Sequence, residues 1–248
     1  MKAKQIIEII EKHYPLSLQE EWDKCGLQVG NDNQEINKIM ISLDADLTSL
    51  QETIDNGCQM LITHHPFLLE TIHNVSNQDH LGQFIYKAIE NNIVVYSSHT
   101  ALDKVSMNQW LIEALGVHDI QNGDSSGITK IAKLNQPMSK EEFIQHVKEC
   151  YQLEHFKYAG DTDTVQTVAI CGGSGAEFMD EFVGKADAYL TGDTKYRHAK
   201  AASDKHILLL DINHHSENIM VRKLKELLEK KIDLEIVEGR SLDYYTYL

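Results

Sequence analysis

The chain has 248 residues, 42% hydrophobic and 25% charged, an ordinary composition for a soluble protein of one large or two small domains. A net charge of -15 and a pI near 5.2 argue against nucleic-acid binding, which needs a clustered basic face. Four scattered cysteines form no C-x-x-C, so neither a zinc knuckle nor a dense disulfide framework is expected.

The N-terminal "MKAKQIIEIIEKHYPLSL" threads charges through its apolar residues, which predicts an amphipathic helix rather than a signal peptide. Six short aliphatic runs bounded by Gly, Asn, Asp or Ser then predict strands: "INKIMISLDA", "CQMLIT", "NIVVYSS", "TVAICGG", "ADAYLTG" and "HILLLD". Helical patterns lie among them at "LTSLQETIDNG", "DHLGQFIYKAIENN", "EEFIQHVKEC" and "SENIMVRKLKELLEKK". Such alternation indicates an α/β protein with mostly parallel pairing. No apolar run approaches the roughly 20 residues of a membrane span. A cytoplasmic protein without a membrane partner is therefore expected.

A weak internal repeat is visible. "IMISLDADLTSLQETIDNGCQMLITHH" aligns without gaps on "VAICGGSGAEFMDEFVGKADAYLTGD", placing Thr63 on Thr191 and Leu50 on Phe178. Each copy reads strand, turn, helix, strand, polar tip. The turn-rich "QNGDSSGI" at 121–128 is the best border. It divides the chain into a first α/β repeat, 1–127, and a second, 128–248, with the C-terminal helix packing back on the first.

Ligands of α/β sheets bind beyond the carboxyl ends of the strands, where the polar tips lie. The tips carry His64 and His65; His99 with Asp103; Asp193; and Asp211, His214, His215 and Glu217. Imidazoles and carboxylates together suit Zn, Mn, Fe, Co or Ni as divalent ions. Adjacent strand histidines point to opposite faces, but Pro66 turns the backbone and can bring both rings to one cluster. Taken singly, Asp103 reads equally as an N-cap and Glu217 as a first-turn acid. Asp44 and Asp46 read as turn and cap residues. "CGGSG" at 171–175 reads as a tight turn, or as an anion site at a helix start.

The segments "EWDKCGLQVG", "LITHHPF", "SSHTALD", "YLTGDTKYRH" and "LDINHHSE" occur in the order found in the GTP cyclohydrolase I type 2 homologue family, the NIF-three-like proteins, and nearly the whole chain resembles that family's compact form, which lacks an inserted domain. The resemblance implies two similar, intertwined α/β repeats with mixed β-sheets, a pair of metal ions in the cleft between them, and a homohexameric ring of dimers. It implies His64, His65, Asp103, His214 and Glu217 as metal ligands, and His99, His198 and Asp193 as catalytic residues beside them. Trp22, Asp23, Gly26 and Gln28 match the N-terminal motif. Two residues depart from the family pattern: Lys24 stands where relatives often have Asn, and Asn213 where they often have Gly. His215, beside His214, leaves the ligand on that tip open. The family name implies hydrolytic opening of the imidazole ring of GTP by hydroxide generated at the metals. Competing readings are a non-enzymatic metal-binding hexameric scaffold and, disfavoured by the charge, a nucleic-acid-binding ring.

Overall fold

Continuous apolar runs are what parallel strands covered on both faces require, and the runs at Lys38–Ser42 (β2), Met60–Thr63 (β3) and Val94–Ser97 (β4) are such strands. The computed structural model describes residues 1–246. By its internal contacts the chain forms two units: Met1–Asp103 with Met220–Leu242, and Lys104–Ile219 with the segment from Asp243. The stretch 121–128 thus lies inside the second unit, and residues 220–229 of the C-terminal helix group with the first.

In the first unit, β2, β3 and β4 lie side by side in parallel, with Ser42, Thr63 and Ser97 in register at their carboxyl ends. Two further strands complete this sheet. Gly26–Val29 (β1) pairs antiparallel with β4, and Glu235–Glu238 (β11) pairs parallel with β2. Neither is among the predicted strands. Helices Ala3–His13 (α1), Leu47–Asp55 (α2) and His80–Glu90 (α3) follow the expected patterns. Ala3, Ile6 and Ile10 form the buried stripe of α1. Asp46 caps α2, accepting from the Ser49 amide at 2.7 Å, as its sequence position predicts. Leu50, Leu61, Phe84, Ala88 and Val95 pack into one cluster, which fixes α2 and α3 against the sheet.

The second unit repeats the motif. Thr164–Ile170 (β8), Ala188–Thr191 (β9) and Leu208–Asp211 (β10) run parallel. β9 falls on β3 in the gap-free alignment, Thr191 on Thr63. A 3₁₀ segment, Ala176–Phe182, replaces α2. Three strands outside the prediction flank this core: Val117–Asn122 (β5), Lys130–Ser139 (β6) and Lys157–Ala159 (β7), all antiparallel to their neighbours. Helix Lys140–Cys150 (α4) was expected; Tyr196–Lys205 (α5), polar and burying just His198 and Ala202, was not. Both sheets are mixed, as the resemblance implies. No helix among the described residues is long and apolar enough to cross a membrane.

Candidate metal centre

In the first unit the tips of β3 and β4 assemble three imidazoles and a carboxylate. Beyond Thr63 the His64 and His65 amides both donate to the Leu43 carbonyl, at 3.1 Å each. That tight turn cancels the strand alternation and brings the two rings to 4.9 Å, centroid to centroid. Ser98 donates its amide to the Thr63 carbonyl, which docks the β4 tip beside them. His99 then opens a short helical turn, with Asp103 donating its amide to the His99 carbonyl at 3.0 Å. One ligand atom from each of His64, His65 and His99 lies within 4.8 Å of the others. The π-turn Asp103–Met107 follows, a geometry common at functional sites.

Each of these rings is held by Nδ1. His64 Nδ1 is 3.0 Å from the Ser98 carbonyl oxygen, which can accept but not donate. The proton is thereby placed on Nδ1 and the lone pair on Nε2. His65 Nδ1 meets Asp44 at 2.7 Å, and His99 Nδ1 meets Asp23 at 2.9 Å. Burial opposes ionisation of Asp23, but the hydrogen bond and charge of His99, with the donors of Thr100, hold its carboxyl well below the ordinary range. Such outer partners orient metal-binding imidazoles and raise their basicity. His64 Nε2 then faces Asp103 Oδ1 at 3.3 Å. His64 is fully buried and Asp103 nearly so. Two electron-pair donors facing one another in a dry setting suit a cation held by both, so this donor set fits a divalent metal.

The second unit builds a matching arrangement on the β9 and β10 tips. Asn213 turns the chain at φ 65°, and the 3₁₀ segment His214–Asn218 brings His214 and Glu217 to one side. His214 Nδ1 is 2.7 Å from Asp193 Oδ2, and its Nε2 is 3.1 Å from Glu217 Oε2. Asp193 also accepts from the Ser174 hydroxyl at 2.5 Å. Burial pushes the Asp193 carboxyl up, but the bonds from Ser174 and His214 outweigh it and hold it below its usual value. Glu217 is buried against Gly172 and Gly173. A Cβ on Gly173, whose φ is +57°, would stand 2.6 Å from Glu217 Oε1. "CGGSG" is therefore the tight turn, shaped to admit the Glu217 carboxylate. Among the described residues His214, and not His215, belongs to a group of side chains that could hold a metal ion.

The residues expected beside the metals divide by geometry. The His99 ring lies beside those of His64 and His65, centroids 5.0 and 5.7 Å away. Asp193 is bound to His214 as its orienting carboxylate. His198 Nδ1 accepts from the Lys195 amide at 3.1 Å, which puts its proton on Nε2, 3.2 Å from Glu177. Asp211 is buried under Thr194 and Lys157. Sequence reading leaves two partners without a role: Asp44, read as a turn residue, is the partner of His65, and Asp23, matched to the N-terminal motif, is the partner of His99. A carboxylate two residues beyond β2 and another in an irregular N-terminal loop carry no periodic signal.

The family model described as Duf34/NIF3 (NGG1p interacting factor 3) matches residues 1–241. A GTP cyclohydrolase 1 type 2 homolog of Clostridium acetobutylicum is 33% identical, over 100% of this chain and 99% of the relative. One of Methanocaldococcus jannaschii is 32% identical, over 98% and 100%. Among solved structures, reduced HcgD from Methanocaldococcus jannaschii superposes with a TM-score of 0.87 at 31% identity, covering 96% of this chain and 98% of that one. The Staphylococcus aureus protein SA1388 gives a TM-score of 0.93 at 24% identity over 100% and 99%, a likeness of fold.

Proposed function

The chain belongs to the Duf34/NIF3 family, and we propose from that premise that it is a dinuclear metal-dependent hydrolase with His64, His65, Asp103, His214 and Glu217 as ligands. The observation that carries the reading is the common anchoring of four rings. Ser98, Asp44, Asp23 and Asp193 each hold Nδ1 of a histidine, and Nε2 of His64 and of His214 faces a carboxylate. Surface histidines have no reason to share that pattern, whereas metal ligands do. The set contains no thiolate and two carboxylates, unlike a closed structural zinc site. Zn, Fe, Mn, Co and Ni all fit such donors.

When bound, the ions supply Lewis acidity for hydrolysis. The rest falls to the chain. Asp44 and Asp193 keep the rings of His65 and His214 oriented, and Gly172 and Gly173 leave room for the Glu217 carboxylate. His99 is the proton carrier the geometry favours, since His198 accepts from the Lys195 amide at Nδ1 and its one ring proton faces Glu177. A nucleotide is the proposed substrate class, after the family name, with ring opening of a purine as its specific form. The alternative is a metal-binding scaffold without turnover. A homohexamer is the proposed assembly.

The test is metal analysis of the purified protein, then a panel of nucleotides and phosphoesters with and without chelator. Chelator-sensitive hydrolysis is expected. Full metal loading with no turnover favours the scaffold, and failure to retain or take up any divalent ion overturns both.

A further inference from the structure

The segment Trp22–Gln28 lies far from the strand tips in sequence, and metal chemistry alone assigns it no part. Its contacts do. Asp23 is fully buried, yet its carboxylate is satisfied by five donors. Oδ1 accepts from the Lys24 amide at 2.7 Å and from His99 Nδ1 at 2.9 Å. Oδ2 accepts from the Thr100 amide at 2.9 Å, the Thr100 hydroxyl, and the Cys25 thiol at 3.1 Å. The scaffold around this carboxylate is itself tied down. The His99 amide donates to Cys25 Sγ, the Cys25 amide to Gln19, and the Glu20 amide to Thr100 Oγ1. Gln28 links the segment to the loop after His65, donating to the Lys24 carbonyl and accepting from the Leu68 amide. Trp22 stands edge-on to the His99 ring, centroids 5.7 Å apart. A buried carboxylate ringed by donors stays ionised only where something holds it so. Here four of the donors are fixed structure and the fifth is the imidazole.

We propose that the N-terminal segment is a working part of the centre, with Asp23 a positioning residue that fixes the orientation and tautomer of His99, so that Nε2 carries the lone pair beside His64 and His65. The physical logic is that of a Ser–His–Asp triad, where the carboxylate keeps the ring in the useful tautomer and its replacement by Asn leaves the wrong one. The inference rests on the hydrolase reading for the use made of His99, but not for the geometry itself.

The donor count predicts what Asp23→Asn does. Three donors converge on Oδ2 against two on Oδ1, so the Asn carbonyl takes the Oδ2 side and its amide, giving up the Lys24 bond, takes the side of His99. The ring must then accept at Nδ1 and move its proton to Nε2. The experiment is long-range ¹H–¹⁵N NMR of the histidine rings in the metal-free protein at a pH where the rings are neutral. Wild type is expected to show His99 as the Nδ1–H tautomer, and Asp23→Asn to lose that signature for Nε2–H. His64, held by the Ser98 carbonyl, is the internal control: an unchanged Nδ1–H signal certifies that the variant is folded. An Nε2–H tautomer in wild type overturns the proposal whatever the variant does, and so does a folded Asp23→Asn protein that keeps Nδ1–H on His99. If the variant fails to fold, the wild-type tautomer decides. Since no substrate is used, failure of the nucleotide panel leaves this test standing, and a wrong tautomer leaves the hydrolase reading standing.

Discussion

Gly173→Ala probes the fit between the "CGGSG" turn and the buried carboxylate. At φ +57° an alanine pays the left-handed penalty, about 1 kcal/mol. Its Cβ would also stand 2.6 Å from Glu217 Oε1, against the 3.4 Å at which ordinary contact begins, so 3.4 − 2.6 = 0.8 Å of movement is required. Gly173 also faces His214, its added Cβ lying 3.5 Å from His214 Cε1. The carboxylate therefore moves relative to the Nε2 atom it faces, which should weaken divalent-metal affinity about 10- to 100-fold. Gly184→Ala is the control. Its φ is +75° with nothing within 4 Å of the added Cβ, so it carries the backbone penalty alone. Both variants should lose roughly 2–4 °C in Tm from the backbone. Gly173→Ala should lose more and alone release zinc to a competing chelator. Equal zinc affinity in Gly173→Ala, Gly184→Ala and wild type would refute the claim that the turn shapes the Glu217 site.

Glu217→Gln keeps size and shape but removes one of the two ligand charges, so the fold should survive while metal content, read by elemental analysis, and any hydrolysis fall. Asn213→Gly relieves a residue held at φ 65°, ψ 146°, and should stabilise by about 0.5–1 kcal/mol, read as a small rise in Tm. Burial pushes the Asp124 carboxyl up, but hydrogen bonds from Ser126 and Thr129 outweigh it and hold it down at about 2. That stability is present above the ordinary carboxylate range and lost as pH falls from about 4 towards 2; after solvent screening it amounts to roughly 1 kcal/mol, and Asp124→Ala should flatten that limb of the acid-unfolding curve. Light scattering at micromolar concentration should show a hexamer, and a stable monomer would contradict the proposed assembly.

The strands legible in the sequence are those buried on both faces. β2, β3, β4, β9 and β10 are buried at nearly every position, as is the predicted end of β8 at Val168, Ala169 and Ile170, and their aliphatic runs announce them. The missed strands are exposed or half-exposed. β5 shows no fully buried residue, β7 none, and β11 one. Their pairing is fixed by backbone hydrogen bonds to a sheet already formed, which leaves little trace in side-chain type. The site divides in the same way. Histidines at strand tips are conspicuous because nothing in the core explains them. Asp23 and Asp44 look like ordinary loop acids, because what distinguishes them is a partner 76 residues away in one case and 21 in the other.

The duplication shows how one supersecondary plan yields two different donor sets. In the gap-free alignment His65 falls on Asp193 and Asp44 on Gly172. In the first copy the β2 tip supplies the orienting carboxylate, Asp44, and the β3 tip supplies the imidazole it holds. The second copy reverses the assignment. Its β9 tip supplies the orienting carboxylate, Asp193, while the β8 tip is stripped to Gly172 and Gly173, where any side chain would press on Glu217. The imidazole comes instead from beyond β10. The third strand of each copy ends in a helical turn that spaces a histidine and a carboxylate, four apart at His99 and Asp103 and three apart at His214 and Glu217. In the first copy that carboxylate faces a histidine of the neighbouring tip, His64, and in the second it faces its own His214. The repeated plan thus conserves where polar groups emerge and leaves free which of them binds and which orients. Exchanging the pair in the second copy, Asp193→His with His214→Asp, should therefore keep the hydrogen bond and the fold, with thermal melting near that of wild type, yet lose metal, because the imidazole would then emerge from β9 rather than beside Glu217. Retention of wild-type metal content by that double variant would show that the emergence points alone determine binding.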